Sequence, residues 1–398
     1  MKKRRTDSKK LVLHHTQAKL DLYEKYLEKY LAILGVSTGI SKINIYDIFC
    51  GTGIYEDGKV GSPIVAFNCI SRNRVFIEET GRRTKPVALI VNDGLPKNVE
   101  KVRQYLNTKN KGICHIDFFE LDANDMFEKV IEAIGKQSRQ ERNLVFIDPY
   151  GYKEISKDDI LALLNTRKTE IILFLPISFM YRFKKVALKD FDNPSYKKLR
   201  DFIHDFFDTA HPIRRLENIN VGEFVKYIKD ALSYSNEFYS ASYYIQRDRA
   251  NYYGLFFVTN NLLGLERFLD AKWDLDVAEG SGFVLPKRQM DMFNESEISQ
   301  RKSKREIELE SLLLDFLAFS AKSNKELYEF VLINEFRPKH ANEILRKLQS
   351  EEIIVVEDFS TKKPARKGAF YLDFDNFKKT NPRVIIELKE KKNGKITY

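Results

Sequence analysis

Four acidic residues in the first 150 positions each follow a short apolar run, and together they could form one ligand-binding edge. They are Asp47, Asp93, Asp122 and Asp148. Apolar runs rich in Val, Ile and Phe are typical of buried strands, and helical patterns separate the runs here. Since ligands bind beyond the carboxyl ends of parallel strands, we expect the four carboxylates to share that edge. Any one of them alone could equally cap a turn or a helix.

The first acid opens the stretch D-I-F-C-G-T-G, in which Gly51 and Gly53 mark a tight turn after a strand. Glycine lets the backbone approach a ligand closely, because no Cβ is in the way. A dinucleotide fingerprint needs a third glycine three residues later, where Glu56 stands. The stretch resembles motif I of class I methyltransferases, especially those acting on nucleic acids. An ordinary turn in another α/β protein is the alternative.

The acid before this turn would repel a pyrophosphate, but it suits a cationic ligand such as the ammonium and sulfonium of S-adenosylmethionine. Asp47 and the turn would then hold the methionine part. Asp93 would accept hydrogen bonds from the ribose hydroxyls, although the adjacent Asn92 could take that role, and Asp122 would accept from the adenine amino group. The predicted cofactor-binding residues are Asp47, Phe49, Gly51, Gly53, Asp93 and Asp122.

The fourth strand ends in Asp148-Pro149-Tyr150-Gly151, which resembles motif IV of amino-methyltransferases, with the pattern D/N-P-P-Y/F. In that motif the acid or amide holds the target amine, and the aromatic ring stacks on the flipped base. Asp148 and Tyr150 are therefore the predicted catalytic residues. The second proline of the motif is missing here, which puts the base-amine chemistry in question.

Two other reactions would each require a different set of groups at this edge of the sheet. Methylation at cytosine C5 needs a nucleophilic Cys after a Pro near this strand, and Cys114 lies before the third strand instead. A metal-dependent nuclease could use Asp93, Asp122 and Asp148. Their positions on separate strands and the glycine turn favour the cofactor site.

The remaining patterns define the fold class. Residues 17–34 have helical apolar spacing, five strands alternate with helices, and residues 238–245 and 252–259 form an antiparallel hairpin. We predict an α/β fold with a Rossmann-like class I methyltransferase sheet of five parallel strands plus that hairpin. Residues 182–237 are helical and polar, and they read either as an insertion for substrate recognition or as a cover for the sheet.

A second domain follows, with three helices, a strand at 353–357, a basic loop and a strand at 369–372. This order is winged-helix-like, and in the DNA-binding version the third helix enters the major groove. Many winged helices make protein contacts only, so both uses stay open. The predicted nucleic-acid-binding residues are Lys339, Asn342, Arg346, Lys347, Lys362, Lys363 and Arg366. The predicted segments are a basic arm 1–15, a methyltransferase-like domain 16–285, a linker 286–304, a winged-helix-like domain 305–375 and a basic tail 376–398.

Composition favours an anionic partner. The 398 residues carry a net charge of +10, which favours nucleic acid. The three cysteines are widely spaced, so we expect neither a disulfide framework nor a zinc or iron–sulfur site, and we expect a reducing, cytoplasmic setting. We see no signal peptide and no apolar run of the roughly 18 residues that a membrane span requires.

Taken together, these pieces resemble the three-Cys-motif partner family, TcmP. The pieces are the early helix from Lys19 to Leu34, the glycine turn with G-S-P after it, F-I-D-P-Y-G, Y-G-L-F-F-V-T with the later G-L-E, and the C-terminal region. The resemblance implies a methyltransferase-like domain encoded beside a three-Cys-motif protein of radical-SAM type, often in phage or mobile elements. Because the family has no settled activity, the resemblance informs the fold more than the function.

Three functions therefore compete. The first is an S-adenosylmethionine-dependent methyltransferase acting on a nucleic-acid base amine together with that radical-SAM-like protein. The second is a non-catalytic nucleic-acid-binding or adaptor protein for it, which the missing proline favours and the series of acids opposes. The third is a winged-helix regulator with a degenerate enzyme domain.

Overall fold

The chain is described here by a computed structural model. The described residues are 14–151, 154–215, 218–247, 251–276, 280, 282–283 and 304–389. The predicted basic arm, the linker and the last part of the basic tail therefore lie outside them almost entirely. The chain forms two compact units, the first Met1–Asp276 with Ser281–Pro286 and the second Val277–Gly280 with Lys287–Tyr398. No helix in the described part of the chain is long and apolar enough to span a bilayer.

The first unit contains one eight-stranded sheet in the order β3-β2-β1-β4-β5-β7-β6-β8. Strands β1 to β5 are parallel, and β7 pairs antiparallel with both β5 and β6. This confirms the predicted class I methyltransferase-like sheet, and it adds a short strand, β8, parallel to β6. The strands are β1 (Lys42–Asp47), β2 (Val87–Asn92), β3 (His115–Phe119), β4 (Glu141–Ile147), β5 (Thr169–Leu175), β6 (Tyr239–Gln246), β7 (Tyr252–Thr259) and β8 (Gly282–Phe283).

Helices connect the five parallel strands, and the inner strands are buried along most of their length, as in parallel sheets covered on both faces. Pro63 and Pro96 stand at the starts of α2 and α3, where the missing N–H costs nothing. Asp122 caps α4 by accepting a hydrogen bond from the Asp125 N–H. The helices of this unit are α1 (His14–Val36), α2 (Ser62–Glu79), α3 (Pro96–Lys109), α4 (Ala123–Lys136), α5 (Lys157–Asn165), α6 (Ile177–Lys189), α7 (Lys197–Phe206), α8 (Val221–Leu232) and α9 (Leu262–Leu275).

Alternation along β1 directs its last side chains to opposite faces of the sheet. Tyr46 and Ile48 join the core formed with α4 and α5. Asp47 lies on the other face, which α1 covers with Tyr23 stacked on Phe146 at 4.3 Å between ring centroids. Helix α1 also packs against α2 and α9. The first strand therefore places its final carboxylate beneath α1.

The predicted insertion between β5 and β6 is helical, as expected. It contains most of α6, a 3₁₀ turn at Pro194–Tyr196, α7 and α8. Phe202, Phe206 and Phe224 from these helices extend the core on the α4–α5 face. The segment therefore covers the sheet.

The second unit has the three predicted helices and a three-stranded sheet in the order β10-β11-β9. Its elements are α10 (Lys304–Phe319), β9 (Lys322–Ser323), α11 (Asn324–Ile333), α12 (Pro338–Ser350), β10 (Ile354–Asp358), α13 (Phe374–Phe377) and β11 (Val384–Leu388). Its classification as winged-helix-like stays a prediction.

Two predictions about this unit are wrong. Residues 369–372 form no strand, because Tyr371 has a φ of +53° and its carbonyl accepts a hydrogen bond from Asn324 at 3.1 Å. Phe370 and Leu372 are nevertheless both buried, and this alternation is what imitates a strand in the sequence. The strand that pairs with β10 is β11, which lies inside the segment predicted to be a basic tail.

Candidate active site

The glycine turn lies at the carboxyl edge of the parallel strands. Gly51 and Gly53 have φ values of +60° and +68°, which favour glycine. A Cβ at Gly53 would come within 2.5 Å of the Val102 side chain, whereas nothing lies within 4 Å of a Cβ at Gly51. Gly53 is therefore required for packing, and Gly51 leaves the backbone open to a ligand.

Asp93, the predicted ribose acceptor, holds this turn in place. Its carboxylate accepts hydrogen bonds from the Gly51 N–H at 2.9 Å, the Leu95 N–H at 2.9 Å and the Asn98 side chain at 3.0 Å. A carboxylate has about four acceptor positions, so roughly one is left for a ligand. The side-chain amide of Asn92 donates hydrogen bonds to two backbone carbonyls, that of Ile48 after β1 at 3.0 Å and that of Leu121 after β3 at 3.1 Å. The structure therefore gives Asn92 a scaffolding role.

A cavity of about 500 Å³ opens beside the turn. Its volume lies within the range of roughly 300–1,000 Å³ that is usual for small-molecule sites. The cavity collects one predicted residue from beyond the end of each of the first four strands. These residues are Phe49, Asp93, Asp122 and Tyr150.

The two outermost of these residues keep part of their surface for a ligand. Asp122 is exposed, and its Oδ1 accepts the capping bond from the Asp125 N–H at 3.1 Å. The Tyr150 side chain is 55% exposed, and its hydroxyl accepts a hydrogen bond from Asn98 at 3.4 Å. The Tyr150 ring therefore stands at the mouth of the cavity, where a base could stack.

Asp47 is fully buried and does not line the cavity. Neither carboxylate oxygen has a hydrogen-bond partner within the described residues. Burial raises the pKa of Asp47 from 3.8 to about 7; the Ser62 side chain offsets part of this rise without reaching hydrogen-bonding geometry. An unpartnered buried carboxylate is costly, and such groups concentrate at functional sites. A cation at this position would relieve the cost.

Asp148 faces α1 and does not line the cavity. Its Oδ2 forms an ion pair with the Lys19 ammonium, and the two side chains are only 13% and 7% exposed, respectively. The Lys19 Nζ also lies 4.6 Å from the centroid of the Phe174 ring. The predicted catalytic pair is therefore divided, with Tyr150 at the cavity and Asp148 beneath α1.

Lys19 is the site residue that sequence reasoning missed. The signal was its position on the apolar face of α1, at helical spacing from the buried Tyr23, Tyr26 and Tyr30. A lysine on such a face needs a buried acceptor, but the sequence alone does not show that the acceptor is Asp148.

The predicted nucleic-acid-binding residues of the second unit lie on α12 and the loop after β10. Lys339 and Arg346 are exposed and Asn342 is half-buried. The loop is tied to α12 by the Gly368 N–H, which donates to Gln349 at 2.9 Å. The loop residues Lys362, Lys363 and Arg366 are exposed.

Lys347 is the exception among these residues. Its ammonium lies 2.7 Å from the Glu310 carboxylate on α10, so it is paired within the protein. The prediction that Lys347 reads a nucleic acid is therefore not supported by its placement, because its side chain faces a neighbouring helix.

The acids considered for a metal-dependent nuclease, Asp93, Asp122 and Asp148, do not form a cluster that could bind a metal ion. Within the described residues, the one group of at least three side chains that could hold a metal ion is Glu24, Glu28 and Cys69. Arg72 pairs with both of those carboxylates, at 2.5 and 2.9 Å. The placement of Asp93, Asp122 and Asp148 therefore does not support a metal-dependent nuclease.

No protein-family model matches the chain, and neither does any curated protein. Among solved structures, similarity extends to Trm1 from Pyrococcus horikoshii in complex with S-adenosyl-L-methionine, with 11% identity over 66% of this chain and 61% of that chain and a TM-score of 0.34. It extends to the magnesium protoporphyrin IX methyltransferase of Synechocystis PCC 6803 with bound S-adenosylhomocysteine, with 11% identity over 64% and 90% of the two chains and a TM-score of 0.30. It also extends to the O-methyltransferase of Bacillus cereus in complex with the same product, with 12% identity over 60% and 80% and a TM-score of 0.27. At these values the fold assignment rests on the strand order and not on the matches.

Proposed function

We propose that this chain is an S-adenosylmethionine-dependent methyltransferase that acts on a nucleic-acid base amine. The observation that carries the proposal is the cavity beside the glycine turn. It gathers Phe49, Asp93, Asp122 and Tyr150 from beyond the ends of four parallel strands. Such an edge is where open α/β sheets bind their ligands.

The residues around the cavity fit this cofactor. Gly51 leaves room for the methionine part, Asp93 keeps one acceptor position for a ribose hydroxyl, and exposed Asp122 can accept from the adenine amino group. The unpartnered carboxylate of Asp47 favours a nearby cation. When bound, the cofactor supplies an electrophilic methyl group.

The acceptor side of the proposal involves Asp148 and Tyr150. The Lys19 ammonium holds Asp148 through Oδ2, so Oδ1 is the atom that would accept an N–H of the target amine, and the amine would have to reach past the cavity to the 13% exposed side chain. The exposed Tyr150 ring can stack on the target base, an interaction of about 1–3 kcal/mol.

A second candidate function is supported by one specific observation. Because Asp148 is already paired with Lys19 and lies outside the cavity, the fold could bind nucleic acid without catalysis. In that case the chain would be an adaptor for a three-Cys-motif radical-SAM-like protein.

The TcmP family, this partner and a phage or mobile-element setting belong to the proposal under either function. A cytoplasmic location does as well. All three cysteines are free thiols, as a reducing compartment requires.

A methyl-transfer assay distinguishes the two functions. Purified chain would be incubated with methyl-labelled S-adenosylmethionine and pooled single-stranded DNA, duplex DNA or RNA, with and without the three-Cys-motif protein. Methylation of a base amine that Asp148→Ala and Tyr150→Ala each reduce by about two orders of magnitude, as expected of groups positioning a reactant, would support the enzyme. Nucleic-acid binding with no label in any pool would favour the adaptor. Lys136→Ala, at an exposed side chain of α4, is the control.

A further inference from the structure

Helix α6 and the 3₁₀ turn after it carry a row of aromatic rings that the candidate active site does not use. Phe179 and Phe183 stand one turn apart with ring centroids 4.8 Å apart, and Tyr196 follows at 5.6 Å from Phe183. The Phe179 side chain is 37% exposed, and Phe183 and Tyr196 are half-buried. We name these three residues the aromatic strip.

Further apolar side chains extend the same segment. Val186 and Phe191 are 41% and 64% exposed. Apolar groups that are clustered on a surface, unlike single ones, mark a binding site. Phe183 and Tyr196 pack against the core with part of their surface. Phe179, Val186 and Phe191 therefore supply most of the apolar surface that fits a partner with flat apolar faces.

The cations around the strip indicate the charge of that partner. Lys189, Lys197 and Lys198 are exposed, as is Arg182, which also donates to Asn251 at 3.0 Å. Two other cations of the segment, Lys184 and Arg200, are buried, and they donate to backbone carbonyls. The segment also exposes Asp190, Asp192 and Asp201, so its excess of positive charge is small. The adjacent Lys197 and Lys198, directly after Tyr196, are the part of the segment that favours an anion.

The strip adjoins the candidate active site. Helix α6 begins directly after Pro176, at the same carboxyl edge of the sheet to which Asp148 belongs. Tyr196 lies two residues before Lys198, which lines the 500 Å³ cavity together with Tyr150. A ligand that follows the strip would therefore reach the mouth of the cavity.

We infer that the aromatic strip binds single-stranded nucleic acid and leads it to the cavity. Aromatic rings among exposed cations are the combination with which proteins hold single strands, since the rings stack on bases and the cations follow the phosphates. A duplex keeps its base faces stacked inside, so it cannot use the rings. The inference rests on the proposed function, and it narrows the substrate class to single strands or extruded bases.

Fluorescence anisotropy of the full chain tests this inference. The probes are a labelled oligothymidylate and an oligouridylate of about 12 nucleotides and a duplex of the same length. We expect Phe179→Ala and Tyr196→Ala each to weaken single-strand binding about 5- to 150-fold, which corresponds to about 1–3 kcal/mol for one stacked base. Phe179→Leu keeps an apolar side chain without the ring and should show the same loss, so impaired folding of the alanine variant would not obscure the result.

The matched control is Phe76→Ala on α2, an aromatic side chain that is 58% exposed outside the strip. Equal affinities of the strip variants and this control for the single strands would overturn the inference. So would a loss confined to the duplex, or unchanged oligonucleotide binding with lost binding of the three-Cys-motif protein. Binding of S-adenosylhomocysteine is measured in parallel. Its retention in the strip variants separates failure of the strip from failure of the cofactor site.

Discussion

At the scale of single residues, Asp47 and Lys19 determine the electrostatics beneath α1. Asp47 is a buried carboxylate without a hydrogen-bond partner among the described residues, and Lys19 is a buried ammonium paired with Asp148. Removing a charge from water without compensation is costly, so each residue has a measurable effect on stability. The ionised Asp47 carboxylate lowers the stability of the folded chain, whereas the Lys19 ammonium raises it. The signs differ because only Lys19 has its counter-charge in direct contact.

Asp47 should make the protein less stable as the pH rises. Its pKa of about 7 in the folded chain exceeds the usual 3.8, so the folded state binds more protons between these values. The free energy of unfolding should fall by about 3 kcal/mol between pH 5 and pH 8 because of this group. Asp47→Asn should remove that part of the decline in urea titrations.

Burial also raises the pKa of another carboxylate, Glu170, to about 7. The free energy of unfolding of Asp47→Asn should therefore still fall to some extent as the pH rises. Asp117→Asn on an exposed side chain is the charge-matched control. A wild-type stability that is flat across this range, or one that declines equally in the Asn variant, would contradict the role given to Asp47.

Lys19→Met should destabilise the chain, since it leaves the Asp148 carboxylate nearly buried and unpaired. We expect a loss of about 3 kcal/mol, the lower end for breaking a buried ion pair. The double variant Lys19→Met with Asp148→Asn should recover most of that loss in the same chemical denaturation experiment. For comparison, Lys136→Met breaks the exposed pair with Glu132 and should cost far less than Lys19→Met, because water screens exposed charges. Additive losses in the double variant would show that Lys19 and Asp148 are not coupled.

At the scale of elements, the turn after β1 needs its two glycines for different reasons. Both residues have positive φ, so an alanine at either position costs about 1–2 kcal/mol. At Gly53 the added methyl would also clash with Val102, whereas at Gly51 it would enter open space.

Gly53→Ala should therefore lower the melting temperature clearly more than Gly51→Ala does. Gly51→Ala should instead lower the affinity for S-adenosylhomocysteine, because its methyl group occupies space that the turn leaves open for the proposed ligand. Differential scanning fluorimetry with and without the ligand measures both effects. The reverse order of melting temperatures would contradict the packing role of Gly53.

The strands and their ends could be predicted from the sequence, because burial on both faces leaves a local apolar run. The roles of the residues at those ends could not be predicted as well. Asp93 accepts a hydrogen bond from Gly51, which is 42 positions away in the sequence, and Lys19 pairs with Asp148, which is 129 positions away. Such pairings depend on which elements become neighbours, and no local pattern contains that information. Residues 369–372 show that a local pattern can also mislead. Buried and half-buried residues alternate there as in a strand, but the segment forms none.

At the scale of the whole molecule, each of the two units has exposed basic side chains of its own. The first has the aromatic strip with its exposed cations, and the second has α12 and the loop after β10. The net charge of +10 supports an anionic partner but does not say which unit binds it. The three helices of the second unit were predictable from their periodicity. Strand β11 was missed because the surrounding lysines and arginines suggested a solvated tail.

Arg346 and Lys347 are neighbours in sequence whose substitutions should have different consequences. Arg346 is exposed, and its side chain lies against Gly368 in the basic loop after β10. Its Nε is 3.7 Å from the position that a Cβ on Gly368 would occupy. Lys347 is paired with Glu310. Arg346→Ala should weaken binding of the full chain to duplex DNA and reduce the salt slope by about 0.9. Lys347→Ala should leave both nearly unchanged, and equal losses for the two variants in salt-dependent anisotropy titrations would contradict this assignment.

The most direct test of the central claim is isothermal titration calorimetry of the purified chain with S-adenosylhomocysteine. We predict one site per chain. Asp122→Ala should weaken binding about 10- to 150-fold, the effect of losing a hydrogen bond to a charged group. Asp117→Ala, on the strand β3 that precedes Asp122 but outside this cavity, should bind like the wild type. Absence of binding at about millimolar ligand, or equal affinity of the Asp122 variant and the wild type, would contradict a cofactor site at the carboxyl edge of this sheet.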